Sequence, residues 1–229
     1  MPEANVVNIL SRRPLVFSNR VEAGRSLAEH LWAYRGAGTV VLGVPRGGLV
    51  VAREIAAALG AELDVVLAHK LGAPGQPEYA VGAMSEAGRL FVSAAAASAG
   101  ADESYLREEA RRVLAEIQQR VALYRQFLAR ATLKDRTVIV TDDGIATGAT
   151  MQAALWSVRQ EQPRKLVAAL PVAPEDSLNR LADGCDAILC LSAPADFRAV
   201  GQFYSDFAQV EDEEVLAMLR QARRQEAKP

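Results

Sequence analysis

The chain has few cysteines, no long hydrophobic run and no excess of positive charge, and each shortage excludes a class of protein. Cys185 and Cys190 are its only cysteines, and no second cysteine pair or histidine cluster accompanies them, so we expect neither a disulfide framework nor a zinc site. The longest smooth apolar runs, 40–44 and 167–172, are far too short to span a bilayer. With no apolar leader at the N-terminus, these shortages predict a soluble cytoplasmic protein with no membrane partner.

The charge balance excludes a broad basic surface. The sequence has 26 Lys and Arg residues against 28 Asp and Glu residues, a formal net charge of −2. A general nucleic-acid binder is usually basic, so no nucleic-acid partner is expected, although a local basic pocket stays open. Lysine is scarce within this balance, with only four positions: Lys70, Lys134, Lys165 and Lys228.

Short β-branched runs alternate with helical segments along most of the chain. Five of these runs are predicted to be buried strands, at residues 39–44, 63–68, 137–141, 165–170 and 187–191. Repeated β-α-β units indicate an α/β fold, with a mostly parallel twisted sheet flanked by helices. We expect residues 1–229 to form a single domain with its core at about 36–192.

Two segments interrupt this alternation. Residues 71–89 are rich in glycine and proline, and so long a stretch inside a compact domain is usually functional or mobile, with a hairpin arm predicted at its centre, 79–84. Residues 102–131 carry apolar side chains every three or four positions after a capping Asp102, which predicts a long inserted helix. We expect this helix to pack on the domain, with a lid or a dimer contact as the alternative.

The most informative string is VIVTDDGIATGAT, residues 138–150. A predicted strand delivers the carboxylates of Asp142 and Asp143 at its C-terminal end, where open α/β sheets bind ligands. The small, hydroxyl-rich loop that follows opens into a helix, and its backbone N–H groups suit a phosphate. Ribose hydroxyls or Mg²⁺ would satisfy two carboxylates beside such an anion. The residues indicate a sugar-phosphate site, against the alternative of a generic loop whose aspartates cap the next helix.

This string resembles the phosphoribosyl diphosphate (PRPP) signature of the type I phosphoribosyltransferases, with four apolar residues, two acids and a Thr-Gly-x-Thr loop. Residues 45–48, Pro-Arg-Gly-Gly, resemble the family's pyrophosphate loop, which implies a cis peptide bond between Pro45 and Arg46. Residues 71–89 resemble the flexible catalytic loop, and Lys70 resembles the basic residue that contacts pyrophosphate. The chain is thus identified as a member of this family with an uncertain acceptor.

The resemblance implies a transferase of nucleotide metabolism in which a nitrogenous base or related acceptor displaces pyrophosphate from C1 of PRPP. It assigns Asp142 and Asp143 to the ribose hydroxyls and, directly or through water, to the implied cofactor Mg²⁺. The 5′-phosphate and ribose are also assigned to the loop residues Gly144, Ile145, Ala146, Thr147, Gly148, Ala149 and Thr150. Pyrophosphate is assigned to Arg46, Gly47, Gly48 and Lys70, and the implied catalytic residues are Asp142, Asp143, Lys70 and Arg46.

The acceptor is less well defined by the sequence. The family holds it under a hood of terminal segments, here 14–20 and 194–210, and the second segment contains Phe197, Phe203 and Tyr204. Aromatic planes beside polar groups suit a flat heterocycle, and a packed C-terminal subcore is the alternative. Transferases for 6-oxopurines usually carry an acid where Ala146 stands, which disfavours that substrate class. The resemblance also implies a homodimer.

Two other functions remain open. The chain could be a PRPP-sensing regulatory protein without transferase activity, or a PRPP or sugar-phosphate hydrolase with water as the acceptor. The intact Arg46-Gly47-Gly48 sequence and the long 71–89 segment favour the transferase.

Overall fold

A parallel sheet forms the centre of the fold, as the alternating pattern predicts. The computed structural model describes residues 6–127 and 129–226, with the side chains of residues 78 and 223–226 outside the description. In chain order the strands are β1 (Val6–Ser11), β2 (Thr39–Gly43), β3 (Glu62–Val65), β4 (Ala68–Ala73), β5 (Gln76–Ser85), β6 (Leu90–Val92), β7 (Thr137–Thr141), β8 (Lys165–Val172) and β9 (Ala187–Ser192). The large sheet has the order β1-β9-β8-β7-β2-β3, and every neighbouring pair in it is parallel.

Helices cover both faces of this sheet. They are α1 (Arg20–His30), α2 (Gly47–Leu59), α3 (Glu103–Tyr124), α4 (Ala149–Arg159), α5 (Glu175–Leu181) and α6 (Asp212–Glu226). Successive side chains of a strand point to opposite faces, so β7 sends Ile139 into the core under α1, α2 and α6. Val138 and Val140 enter the core under α4 and α5. The central strands are therefore buried on both faces, which is why they read as continuous apolar runs.

The sheet extends further towards the N-terminus than the predicted core of 36–192. Strand β1 pairs with β9 at one edge, from Val6 opposite Ala187 to Ser11 opposite Ser192. Its side chains alternate between exposed and half-buried positions, with Val6 59 % exposed. This weak apolar signal is why the sequence pattern missed the strand.

A second, three-stranded antiparallel sheet replaces the predicted loop at 71–89. The predicted strand at 63–68 divides, because β3 ends at Val65 in the large sheet and β4 begins the small one at Ala68. Strand β5 contains the predicted hairpin arm 79–84 and pairs with β4 on one side and β6 on the other. Most of the segment that resembled a flexible loop is regular strand.

The inserted helix α3 packs on this small sheet. Asp102 caps it, since its Oδ1 accepts a hydrogen bond of 2.8 Å from the N–H of Tyr105. Its buried Val113 and Ile117 share a core with Leu71 and other residues of the small sheet. The helix ends at Tyr124 rather than at the predicted 131, and residue 128 of that prediction lies outside the described residues. No helix among the described residues is long and apolar enough to cross a bilayer.

Candidate functional site

The two aspartates lie at the carboxyl edge of the large sheet. Strand β7 is fully buried between β2 and β8, and Asp142 and Asp143 follow its last residue. The N–H of Asp143 donates a hydrogen bond of 2.8 Å to Oδ1 of Asp142. Both residues are half-buried, so their carboxylates lie at the protein surface without being fully hydrated. This is the position at which open α/β sheets bind ligands.

The loop at 144–150 leads from the acid pair into α4. Its Ala146, Thr147 and Thr150 are exposed. Helix α5 supports it from behind, because the Ser177 hydroxyl donates a 2.6 Å hydrogen bond to the carbonyl of Ala146. Gly148 is the N-cap residue of α4, at a φ of 78°, and has no side chain that could accept a hydrogen bond from the first turn. The Thr147 hydroxyl accepts a long hydrogen bond of 3.4 Å from the N–H of Ala149. N–H groups at a helix start have no intrahelical partner and suit an anion.

The glycines of the 45–48 loop pack directly on the aspartates. The Pro45–Arg46 peptide bond is cis, as the resemblance implies, and α2 begins at Gly47. A Cβ atom on Gly47 would overlap the Asp143 carboxylate, and one on Gly48 would lie 2.8 Å from the Asp142 Cα. Only glycine leaves room for this approach. The two strings that carry the family resemblance therefore form one continuous surface.

A half-buried arginine that the sequence did not single out holds Asp143. Nε of Arg20 lies 2.6 Å from Oδ2 of Asp143, and the two side chains are only 11 % and 15 % exposed. The same guanidinium donates to the carbonyl of Ala208 at 2.8 Å and lies 3.9 Å from the ring centre of Phe207. Arg20 thus joins the acid pair to the second hood segment. Because the ion pair spans 123 positions, no local motif could reveal it.

Burial dominates the electrostatics of the acid pair. It raises the pKa of Asp142 well above its ordinary value, and the neighbouring charge of Asp143 raises it further. Burial also raises the pKa of Asp143, while the hydrogen bond and charge of Arg20 oppose that rise. A bound cation or a pair of hydroxyl donors would stabilise the two charges.

The donor set fits Mg²⁺ that is shared with a substrate. Mg²⁺ prefers hard oxygen ligands and is commonly held by one or two carboxylates together with substrate phosphates. Asp142 and Asp143 supply such carboxylates beside the loop at 144–150. Within residues 6–127 and 129–226, no group of three or more His, Cys, Asp or Glu residues could hold a metal by itself. These residues therefore suit an ion that arrives with phosphate ligands of its own.

The two predicted cations stand on different elements of the fold. Arg46 stands at the start of α2, where its Nη1 lies 3.5 Å from Oε2 of Glu211. Lys70 is half-buried in β4 and lies opposite Ala83 of β5. Their assignment to pyrophosphate stays a prediction.

The two predicted hood segments pair with each other. The N–H of Phe17 donates to the carbonyl of Phe203 at 2.9 Å. Phe203 and Tyr204 are buried, which matches the alternative of a packed subcore, whereas Phe197 is half-buried. The Tyr204 hydroxyl donates a 2.5 Å hydrogen bond to the carbonyl of Asp143. The ring faces of Phe203 and Tyr204 are thus used in packing, and Tyr204 supports the acid pair instead.

Comparison with known proteins agrees with this geometry. A family model described as the phosphoribosyl transferase domain matches residues 18–208. A protein from two strains of Mycobacterium tuberculosis, named provisionally as a phosphoribosyl transferase, is 42 % identical over 210 residues, which are 91 % of this chain. The chain spans only 47 % of the length of that relative.

A solved structure shares the fold as a whole. The crystal structure of TT1426 from Thermus thermophilus has a TM-score of 0.86 and 47 % sequence identity, covering 90 % of this chain and 99 % of that one. The parallel sheet flanked by helices is thus the type I phosphoribosyltransferase fold. With the family match over residues 18–208, the chain belongs to the phosphoribosyl transferase domain family.

Proposed function

We propose that the protein is a phosphoribosyltransferase, which binds PRPP with Mg²⁺ and transfers the 5-phosphoribosyl group to a nitrogenous base or related acceptor, releasing pyrophosphate. One observation carries the proposal. Asp142 and Asp143 pack against Gly47 and Gly48 at the carboxyl edge of the sheet, beside a loop that opens into α4. This surface offers carboxylates for a diol and backbone N–H groups for phosphates, which are the two chemistries of a phosphorylated ribose.

Each part of PRPP has a matching group in this surface. The 5′-phosphate would accept hydrogen bonds from the loop at 144–150, whose Thr147 and Thr150 add exposed hydroxyls. The ribose hydroxyls would donate to the carboxylates of Asp142 and Asp143. Pyrophosphate would lie at the start of α2, next to Arg46 and the two glycines.

The proposed transfer depends mainly on neutralising the charges that develop on the ribose and on pyrophosphate, and less on a reactive side chain. As the bond from C1 to the pyrophosphate oxygen breaks and the acceptor nitrogen bonds to C1, the ribose becomes cationic and the leaving group gains negative charge. Bound Mg²⁺ would neutralise part of the charge on the leaving group. Arg46 and Lys70 would add fixed positive charge there, and the aspartates would hold the ribose in place.

A screen for PRPP-dependent release of pyrophosphate tests this function. Purified protein with Mg²⁺ and PRPP is incubated with a panel of purine and pyrimidine bases, and pyrophosphate is measured. We expect release that requires one class of acceptor. Tight PRPP binding without turnover would instead indicate a sensor, release without any base would indicate a hydrolase, and either result would contradict the transferase.

Replacing Gly47 by alanine should weaken PRPP binding on the order of tenfold to a hundredfold. The new methyl group would overlap the Asp143 carboxylate and press on Nε of Arg20, at 2.8 Å from the ideal Cβ position. Displacing a binding group by about 1 Å can cost a factor of about 100. Calorimetric titration with PRPP and Mg²⁺ measures the change.

Gly38→Ala is the matched control for this substitution. A Cβ atom on Gly38 would meet nothing within 4 Å, and its φ lies outside the left-handed range. We expect PRPP affinity of this variant to equal that of the native chain. Equal affinities for the Gly47→Ala and native proteins would show that the glycine contact does not shape the site.

A further inference from the structure

A small cavity of about 60 Å³ lies where the 45–48 loop, the start of β4 and helix α3 meet. Pro45 lines one wall, and Thr150, in the first turn of α4, lines another. His69 of β4 and Glu116 and Arg120 of α3 supply its other polar groups. The cavity therefore connects the two phosphate-binding loops, and the inserted helix forms one of its walls.

Glu116 forms an ion pair with an arginine of its own helix, and this arginine also pairs with Glu109. Nη1 of Arg112 lies 2.6 Å from Oε1 of Glu116, and Nδ1 of His69 lies 3.6 Å from Oε2. Burial lowers the pKa of His69, while the charge of Glu116 raises it. Arg120, in contrast, is exposed and forms no ion pair with another side chain in the described part of the chain. Its guanidinium thus lies at this cavity without a carboxylate of the described residues within ion-pair distance.

Two anchors fix the helix on either side of Arg120. The buried Ile117 packs against the small sheet. Beyond the end of the helix, Arg125 forms ion pairs with Asp64 at 2.5 Å and Glu86 at 2.9 Å. The backbone of Arg120 is held between these contacts, while its long side chain stays available to a ligand. A guanidinium in such a position can bind a phosphate through two parallel hydrogen bonds.

We infer that Arg120 binds the pyrophosphate group of PRPP, so that the inserted helix α3 is part of the active site. The inference rests on the proposed function, because it places the leaving group between the 45–48 loop and α3. Two observations support the inference: the cavity reaches Pro45 and Thr150, and Arg120, which also lines it, has no ion-pair partner among the described residues. Helix α3 would then hold the positive charge of Arg120 next to the pyrophosphate group.

Arg120→Gln tests the inference, with Arg111→Gln as its control. Arg111 is also exposed on α3, and nine residues at 100° each place it on the opposite side of the helix. Calorimetry with Mg²⁺ would measure the affinities for PRPP, pyrophosphate and ribose 5-phosphate. We expect Arg120→Gln to weaken PRPP and pyrophosphate by about 10- to 100-fold and to leave ribose 5-phosphate unchanged. Arg111→Gln should change none of the three.

The outcomes separate this inference from the proposed function. Native affinities for PRPP and pyrophosphate in Arg120→Gln would overturn the inference and leave the function standing. An equal loss for all three ligands would also overturn it, because it would indicate a general structural effect. If the native chain binds pyrophosphate but not PRPP, the proposed function fails, and a loss confined to Arg120→Gln would still place this arginine at an anion site. A native chain that binds neither would contradict both.

Discussion

Replacing Arg125 by glutamine is expected to lower the free energy of unfolding by about 3–5 kcal/mol. Asp64 is 2 % exposed, and Nη1 of Arg125 lies 2.5 Å from its carboxylate. The same guanidinium donates two hydrogen bonds to Glu86, of 2.9 and 3.0 Å. Without Arg125, the Asp64 charge would stay buried, and the donors left to it among residues 6–127 and 129–226 would be the backbone N–H groups of Val65 and Ala131. An uncompensated buried charge is among the most costly defects in a protein.

The destabilisation should depend on pH in a defined direction. Burial raises the pKa of the Asp64 carboxyl, and the charge of Arg125 opposes that rise, so the substitution raises the pKa further. A carboxyl with a higher pKa in the folded state makes stability fall as the pH rises from the unfolded pKa through the folded one. The difference between variant and native protein is therefore greatest near neutral pH. It should shrink as the pH falls towards the unfolded pKa of aspartate, about 4.

Urea unfolding at several pH values measures this effect, with Arg107→Gln as the control. Arg107 pairs with Glu103 one helical turn away, and both side chains are mostly exposed, at 62 % and 86 %. Exposed helical pairs of this kind contribute only about 0.3–0.5 kcal/mol. A comparable small loss in Arg125→Gln, or a loss that does not change with pH, would show that the Asp64 charge does not depend on this arginine.

The Asp64 network also shows where sequence reasoning stopped. The apolar pattern predicted a strand at 63–68 without indicating that the chain leaves the large sheet after Val65. Helix α3 ends where Arg125 turns towards Asp64 and Glu86, which come from β3 and from the end of the small sheet. The apolar spacing in the sequence continues past Tyr124, so it predicted a longer helix. Such spacing shows which residues are apolar, but it does not show that the Arg125 side chain pairs with distant carboxylates.

The candidate site was more predictable than the Asp64 network, because each of its parts is encoded by a short stretch of sequence. The β7 string contains its own strand, acid pair and small loop, and Gly47 and Gly48 provide the close approach within two residues. Arg20 and Tyr204 lie in the predicted hood segments, but their contacts with Asp143 were missed because they span 123 and 61 positions. Sequence therefore indicated the acid pair, its loop and the two glycines, and the structure was needed for the side chains that hold the acid pair.

Replacing Asp142 and Asp143 together by asparagine should weaken PRPP binding by about two to four orders of magnitude. Hydrogen bonds to charged groups contribute about 1.5–3 kcal/mol each, and every 1.4 kcal/mol corresponds to a factor of about ten in affinity. The proposed function gives each carboxylate a ribose hydroxyl or a share of Mg²⁺. Calorimetric titration of the native and substituted proteins with PRPP and Mg²⁺ measures the loss.

The single substitutions should differ in their effect on stability, which separates binding from folding. Burial and the charge of Asp143 disfavour the ionised form of Asp142, so Asp142→Asn should unfold no more easily than the native chain while binding PRPP more weakly. Asp143→Asn removes the charged partner of the nearly buried Arg20, which should cost about 1.5–3 kcal/mol of stability. Asp183→Asn, at an exposed position, should change neither property. If Asp142→Asn kept native affinity for PRPP, Asp142 would not be a ligand of the ribose or its metal. If affinity falls while stability stays at the native level, unfolding is excluded as the cause of the loss.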